Sequence, residues 1–153
     1  MYPFLISLHS LWRWLVLGSL IYSIYVSYSG FISKKKFTAA ADKLRHWTAT
    51  IIHIQLVLGM SIYIQSPVVK YHLLDSPHNL INEQYFFRYF HLAMMLVAVI
   101  LITIGSARAK RSKNEVEKYR IMFKWFSLGL AVIFIAIPWP FSPLTSRPYI
   151  RSF

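Results

Sequence analysis

Four apolar segments, about 3–31, 45–66, 85–107 and 121–138, constrain this chain more than any other feature. Each approaches or exceeds the roughly 20 residues that a helix needs to cross a bilayer. A helix satisfies its own backbone polar groups, which is the condition for spanning hydrocarbon. The 153 residues are enough for four such spans and their connections. Only 14% of the residues are charged, against about a quarter in a soluble domain. The expectation is an all-α integral membrane four-helix bundle, a single transmembrane domain covering residues 1–153. The first segment lacks a basic n-region and is too long for a cleavable signal peptide.

The connections are short and differ in charge. Between the first two spans lies "SKKKFTAAADK", with Asp42 as a helix-start residue. The second span ends at "IQSP", where Pro67 stops a helix. Residues 67–83 form the longest loop, with a single lysine and with His72 and His78 as solvated loop residues. "SARAKRSKNEVEK" joins the third and fourth spans. After "AIPWPFSP" the prolines prevent further helix and leave a polar tail. Trp12, Trp14, Trp125 and Trp139 lie towards span ends, where aromatic belts form.

A net charge of +12 raises the question of nucleic acid, and the placement of the charges answers it. Twelve of the 17 Lys and Arg fall in two blocks. One is Lys34, Lys35, Lys36, Lys43 and Arg45; the other is Arg108, Lys110, Arg111, Lys113, Lys118, Arg120 and Lys124. Both flank apolar spans as cytoplasmic connections do, so they are topology signals and no nucleic-acid partner is expected. Both termini then face outside, into the periplasm, with the protein multi-pass in a bacterial inner membrane. The absence of cysteine excludes disulfides, iron–sulfur clusters and covalent c-type haem.

The five acids, Asp42, Asp75, Glu83, Glu115 and Glu117, lie in connections or at span edges. The spans instead carry His9 and Arg13 in the first, His53 in the second, and Arg88 with His91 in the third. Charged and ionisable groups in a bilayer are expensive and mark function by default. At about 1.5 Å per residue, His9 lies roughly 9 Å and His91 roughly 10 Å from the outer ends of their spans, with His53 near 20 Å. His9 and His91 therefore share a level on different helices, as the two axial ligands of a haem do. Two axial imidazoles close both positions on the iron and favour electron transfer. Arg13 lies one turn from His9 on the same face, and its guanidinium suits a haem propionate. Arg88, one turn from His91, is equally placed. His53 remains open between ligand, quinone contact and interhelical hydrogen bond.

Four stretches together resemble a family of small four-span proteins from Bacteroidota genomes labelled cytochrome b-like. They are "LHSLWRWLVL" (8–17), "HIQLVLGMSIY" (53–63), "HLAMMLVAVILITIGSARAKR" (91–111) and "IAIPWPF" (135–141). The resemblance reaches all four spans in order. It implies that the family's histidines fall on His9, His53 and His91, and its first-span arginine on Arg13. One departure is Phe90, where the relatives tend to carry an acid beside the third-span histidine.

The leading expectation is a haem b-binding membrane protein for electron transfer, within or beside a larger membrane complex, with quinone as a further ligand. Its residues are His9, His91 and His53 for the metal, and Arg13 and Arg88 for the cofactor's carboxylates. The alternative is a non-catalytic accessory subunit of a membrane assembly, binding no cofactor. A compact three-histidine metal site is disfavoured by the depth of His53, and a transporter by the unbroken spans. The partners expected are the lipid bilayer and other membrane subunits or further copies of the chain.

Overall fold

Thr38 and Asn114 decide where two of the four long helices begin. Both residues are extended, and their side chains accept the N–H of Ala41 and Glu117 respectively. Each thereby satisfies one of the donors that the first helical turn leaves unpaired. The computed structural model describes residues 2–70, 85–142 and 148–149. Among them all regular structure is helical. Helix α1 is Tyr2–Ile32, α2 is Ala39–Gln65, α3 is the single turn Pro67–Lys70, α4 is Phe86–Arg111 and α5 is Glu115–Ala136. The four long helices have the length and apolar composition to cross a membrane.

Helices α2 and α5 start well before the apolar segments expected at 45 and 121. Their first turns are polar, with Asp42, Glu115 and Glu117. Acids at a helix N-terminus meet the positive end of the dipole, so the helix extends past its apolar stretch. Pro67 ends α2 and opens α3, where its missing N–H is no loss. Helix α4 begins with a π-wound turn, Phe86–Phe90, in which the N–H of His91 reaches back to the Phe86 carbonyl.

In the bundle, α1 packs on α2 and α5, and α4 packs on the same two helices. Helices α1 and α4 therefore face one another across the diagonal. Leu20, Ile102, Met122 and Phe126 fill the core. Close approach is bought by small residues: a Cβ on Gly129 would meet Ile102, and one on Gly105 would overlap Trp125. Buried hydroxyls pair internally, with Ser23 and Thr48 2.6 Å apart. The outward faces carry Ile21, Val57, Ile64, Ile100, Leu128 and Ile135. An apolar surface of this extent suits contact with lipid.

The two ends of the bundle differ. At one end the two basic connections meet, where the Phe37 N–H donates to Glu115 at 2.9 Å and the Tyr119 hydroxyl to the Lys36 carbonyl at 3.2 Å. Arg45 is buried near this end, donating to Asp42 at 2.8 Å and to the Ser106 hydroxyl at 2.6 Å. At the other end the Tyr2 hydroxyl donates to Ser66 at 3.1 Å. The Tyr149 carbonyl accepts from Arg13 in that half as well.

Candidate functional site

A cavity of about 570 Å³ lies in the half of the bundle that holds Tyr2 and Ser66. Cofactor and small-molecule sites run to roughly 300–1,000 Å³. All four long helices line it, with Val16, Ile52, Ala98 and Ile133 forming its apolar floor. His9, Arg13, Gln55 and His91 supply its chemistry.

His91 owes its orientation to two features of sequence. The π turn before it keeps Phe86 and Phe87 beside the imidazole, each ring centroid 5.9 Å away. The second feature is the "IPWPF" run that ends α5. The helical partner of the Ala136 carbonyl would be the N–H of residue 140, which is Pro140 and has none. His91 Nδ1 lies 2.8 Å from that carbonyl. A carbonyl only accepts, so Nδ1 carries the proton and a neutral ring keeps its lone pair on Nε2. This is how metal-ligating histidines are commonly held. The same device recurs two residues earlier. Pro138 strands the Phe134 carbonyl, and Trp139 Nε1 donates to it at 2.9 Å.

His9 faces α2. The Gln55 side-chain nitrogen lies 3.1 Å from the His9 carbonyl and 3.3 Å from His9 Nε2. Gly59, one turn further along α2, leaves room for the ring, since a Cβ there would stand 3.2 Å from His9 Cε1. His9 and His91 sit on diagonal helices and line the same cavity.

Arg13 completes the wall. Its guanidinium carbon lies 5.4 Å from the Trp14 ring and 5.9 Å from the Trp139 ring, with a terminal nitrogen on the Tyr149 carbonyl. Stacking on indoles suits a planar cation. Its Nε has no partner. Among the described residues, the buried side-chain nitrogens and oxygens without a partner are His9 Nδ1, Arg13 Nε and Gln55 Oε1. All three belong to residues of this one cavity. Buried polar groups are almost always paired, so three orphans in one wall mark a ligand or ordered water there.

His53 and Arg88 lie elsewhere. His53 Nε2 is 2.9 Å from the Thr103 hydroxyl, whose own proton goes to the Val99 carbonyl at 2.7 Å. The histidine is therefore the donor, tying α2 to α4 on an exposed face. Arg88 lies outside the cavity lining, with its guanidinium 5.4 Å from the Tyr89 ring. His72 and His78 fall outside the described residues. No group of three His, Cys, Asp or Glu that could hold a metal ion occurs among the described residues.

Two parts of this site escape a reading of the sequence for charge. Gln55 is a neutral amide in an apolar run. The Ala136 carbonyl is invisible except through Pro140, whose position four residues on is the signal that finds it. No family model, curated protein or solved structure matches the chain.

Proposed function

We propose that this protein is a haem b-binding membrane protein for electron transfer, with His9 and His91 as the residues that would hold the iron. The observation that carries the reading is the shared cavity wall. It brings together two imidazoles from diagonal helices and three buried polar atoms without partners, one of them His9 Nδ1 itself. The porphyrin supplies four of six iron ligands, so two histidines complete the set and no third protein ligand is needed. The residues fit the group. His91 presents its lone pair on Nε2, and Arg13 Nε is an unspent N–H donor for a propionate. When bound, the haem would supply one-electron chemistry; the chain would hold it through His9 and His91 and keep water from the apolar floor.

In this reading the cavity end of the bundle faces the periplasm and the basic connections face the cytoplasm of a bacterial inner-membrane protein. Support comes from the clustering of both basic connections at one end. An accessory-subunit reading has its own observation in His53. A histidine on an exposed mid-helix face suits a contact with another subunit's helix.

A reduced-minus-oxidised spectrum of the purified protein, with pigment quantified per chain, separates the two. Haem binding by His9 and His91 gives a low-spin b-type spectrum near one haem per chain. A colourless protein that stays colourless after incubation with haemin sinks the reading and leaves the accessory subunit.

A further inference from the structure

We propose that Gln55 is a positioning residue that fixes which nitrogen of His9 carries the proton, a role resting on the haem reading for its use but not for its chemistry. The polarity follows from heavy atoms alone. The Gln55 side-chain nitrogen lies 3.1 Å from the His9 carbonyl, which only accepts, so the group facing His9 is the NH2 and not the oxygen. The same NH2 lies 3.3 Å from His9 Nε2 and brings its second hydrogen there. Nε2 is then the acceptor, and the ring proton belongs on Nδ1. One amide thus spends both hydrogens on a single residue, one on its backbone and one on its ring.

The consequence joins the two histidines. His91 is held with its proton on Nδ1 by the Ala136 carbonyl, and His9 is held in the same form by Gln55, from the opposite direction. His53, which donates from Nε2 to Thr103, has the reverse form. The two histidines of the cavity therefore both carry the proton on Nδ1 and the lone pair on Nε2, that of His9 being engaged by the amide, and the one outside it does not. The long 3.3 Å contact is a holding interaction that a stronger Nε2 partner displaces. The buried Nδ1–H of His9 and the Nε–H of Arg13, without partners even with the amide in place, are donors for an anionic group.

Nitrogen-15 NMR of the histidine side chains in detergent micelles tests this directly, with the His9 signals identified by their loss in His9→Asn. The wild-type protein should show His9 and His91 protonated at Nδ1 and His53 at Nε2. In Gln55→Met, which keeps the bulk and removes the donor, His9 should lose its preference for Nδ1 while His91 and His53 stay as they are. A general loosening of the fold would move all three. Haemin titration of the same variant should show affinity unchanged or raised, because the amide holds Nε2 in the free protein and must leave it before iron can bind there. Wild-type His9 protonated at Nε2, or an unchanged His9 pattern in Gln55→Met, overturns the proposal. So does a haemin affinity that falls in Gln55→Met, which would mean that the amide is not bonded to the nitrogen that iron takes. If the wild-type protein shows the expected tautomers yet takes up no haemin, the haem reading fails while the hydrogen-bond assignment to Gln55 stands.

Discussion

At the scale of the residue, the three membrane histidines differ in which nitrogen is committed. His91 spends Nδ1–H on a carbonyl that Pro140 leaves unpaired, and His53 spends Nε2–H on Thr103. Substitution should sort them. In the proposed haem reading, His9→Ala and His91→Ala should each convert a low-spin spectrum to high-spin or abolish pigment, because each would remove one bond to the same iron. His53→Ala should leave the low-spin signature in place and cost about 0.6 kcal/mol of bundle stability, the mean for an interhelical hydrogen bond in a membrane. Loss of the low-spin spectrum in His53→Ala with retention in His9→Ala would reassign the ligands. Arg13 calls for a graded test. Arg13→Lys keeps the charge and the indole contacts but loses the planar fork, so it should retain more haem than Arg13→Ala. Equal and full haem content in both variants would remove Arg13 from the site. The rise per residue leads one to expect His9 and His91 at one level, and the structure has both lining one cavity. Gln55 was not readable, because an amide has no charge to stand out and its target includes a backbone carbonyl.

At the scale of the element, hydropathy located the helices and capping set their ends. The apolar run of α2 begins near residue 45, yet the helix starts at Ala39 because Thr38 accepts from Ala41. Asn114 does the same for α5. Replacing either cap by Ala should cost about 1 kcal/mol in a denaturant or thermal titration. The close approach of α4 and α5 gives a sharper test. A Cβ at Gly129 would run into Ile102, itself fully buried between these helices. Gly129→Ala should therefore destabilise by about 1–3 kcal/mol, the usual range for forcing bulk into a packed core. Gly18 has nothing within contact range of an added Cβ. Gly18→Ala should be neutral or stabilise by up to about 1 kcal/mol through helix propensity alone. Equal effects at the two glycines would deny the packing of α5 on α4. The π turn at Phe86–Phe90 had no signal in a run that reads as plain apolar helix.

At the scale of the whole molecule, charge divides the bundle into unlike ends. The connections after α1 and α4 carry the two basic blocks, and the hydrogen bonds from Phe37 to Glu115 and from Tyr119 to Lys36 bring them together. The cavity, with Tyr2 and Ser66, occupies the other half. A linear reading of lysines and arginines could anticipate this polarity because an even number of crossings returns alternate connections to the same side. It could not anticipate Arg45, a member of the first block that is buried against Ser106 and Asp42 and so serves packing as well as topology. In the proposed orientation, which rests on the positive-inside bias, the basic end faces the cytoplasm. The chain has no cysteine, so single cysteines report cleanly. In intact cells, cysteines placed at Ser33 and Ser112 should be shielded from a membrane-impermeant thiol reagent, and both should react after the membrane is opened. A cysteine at Ser76, between the second and third apolar segments, should react without opening it. Reaction at Ser112 and protection at Ser76 would reverse the orientation. The cavity would then face the cytoplasm, and any electron donor or acceptor meeting His9 and His91 would have to approach from that side. Reaction at only one of Ser33 and Ser112 would contradict the shared end itself, and with it the four-crossing arrangement on which the diagonal pairing of α1 and α4 depends.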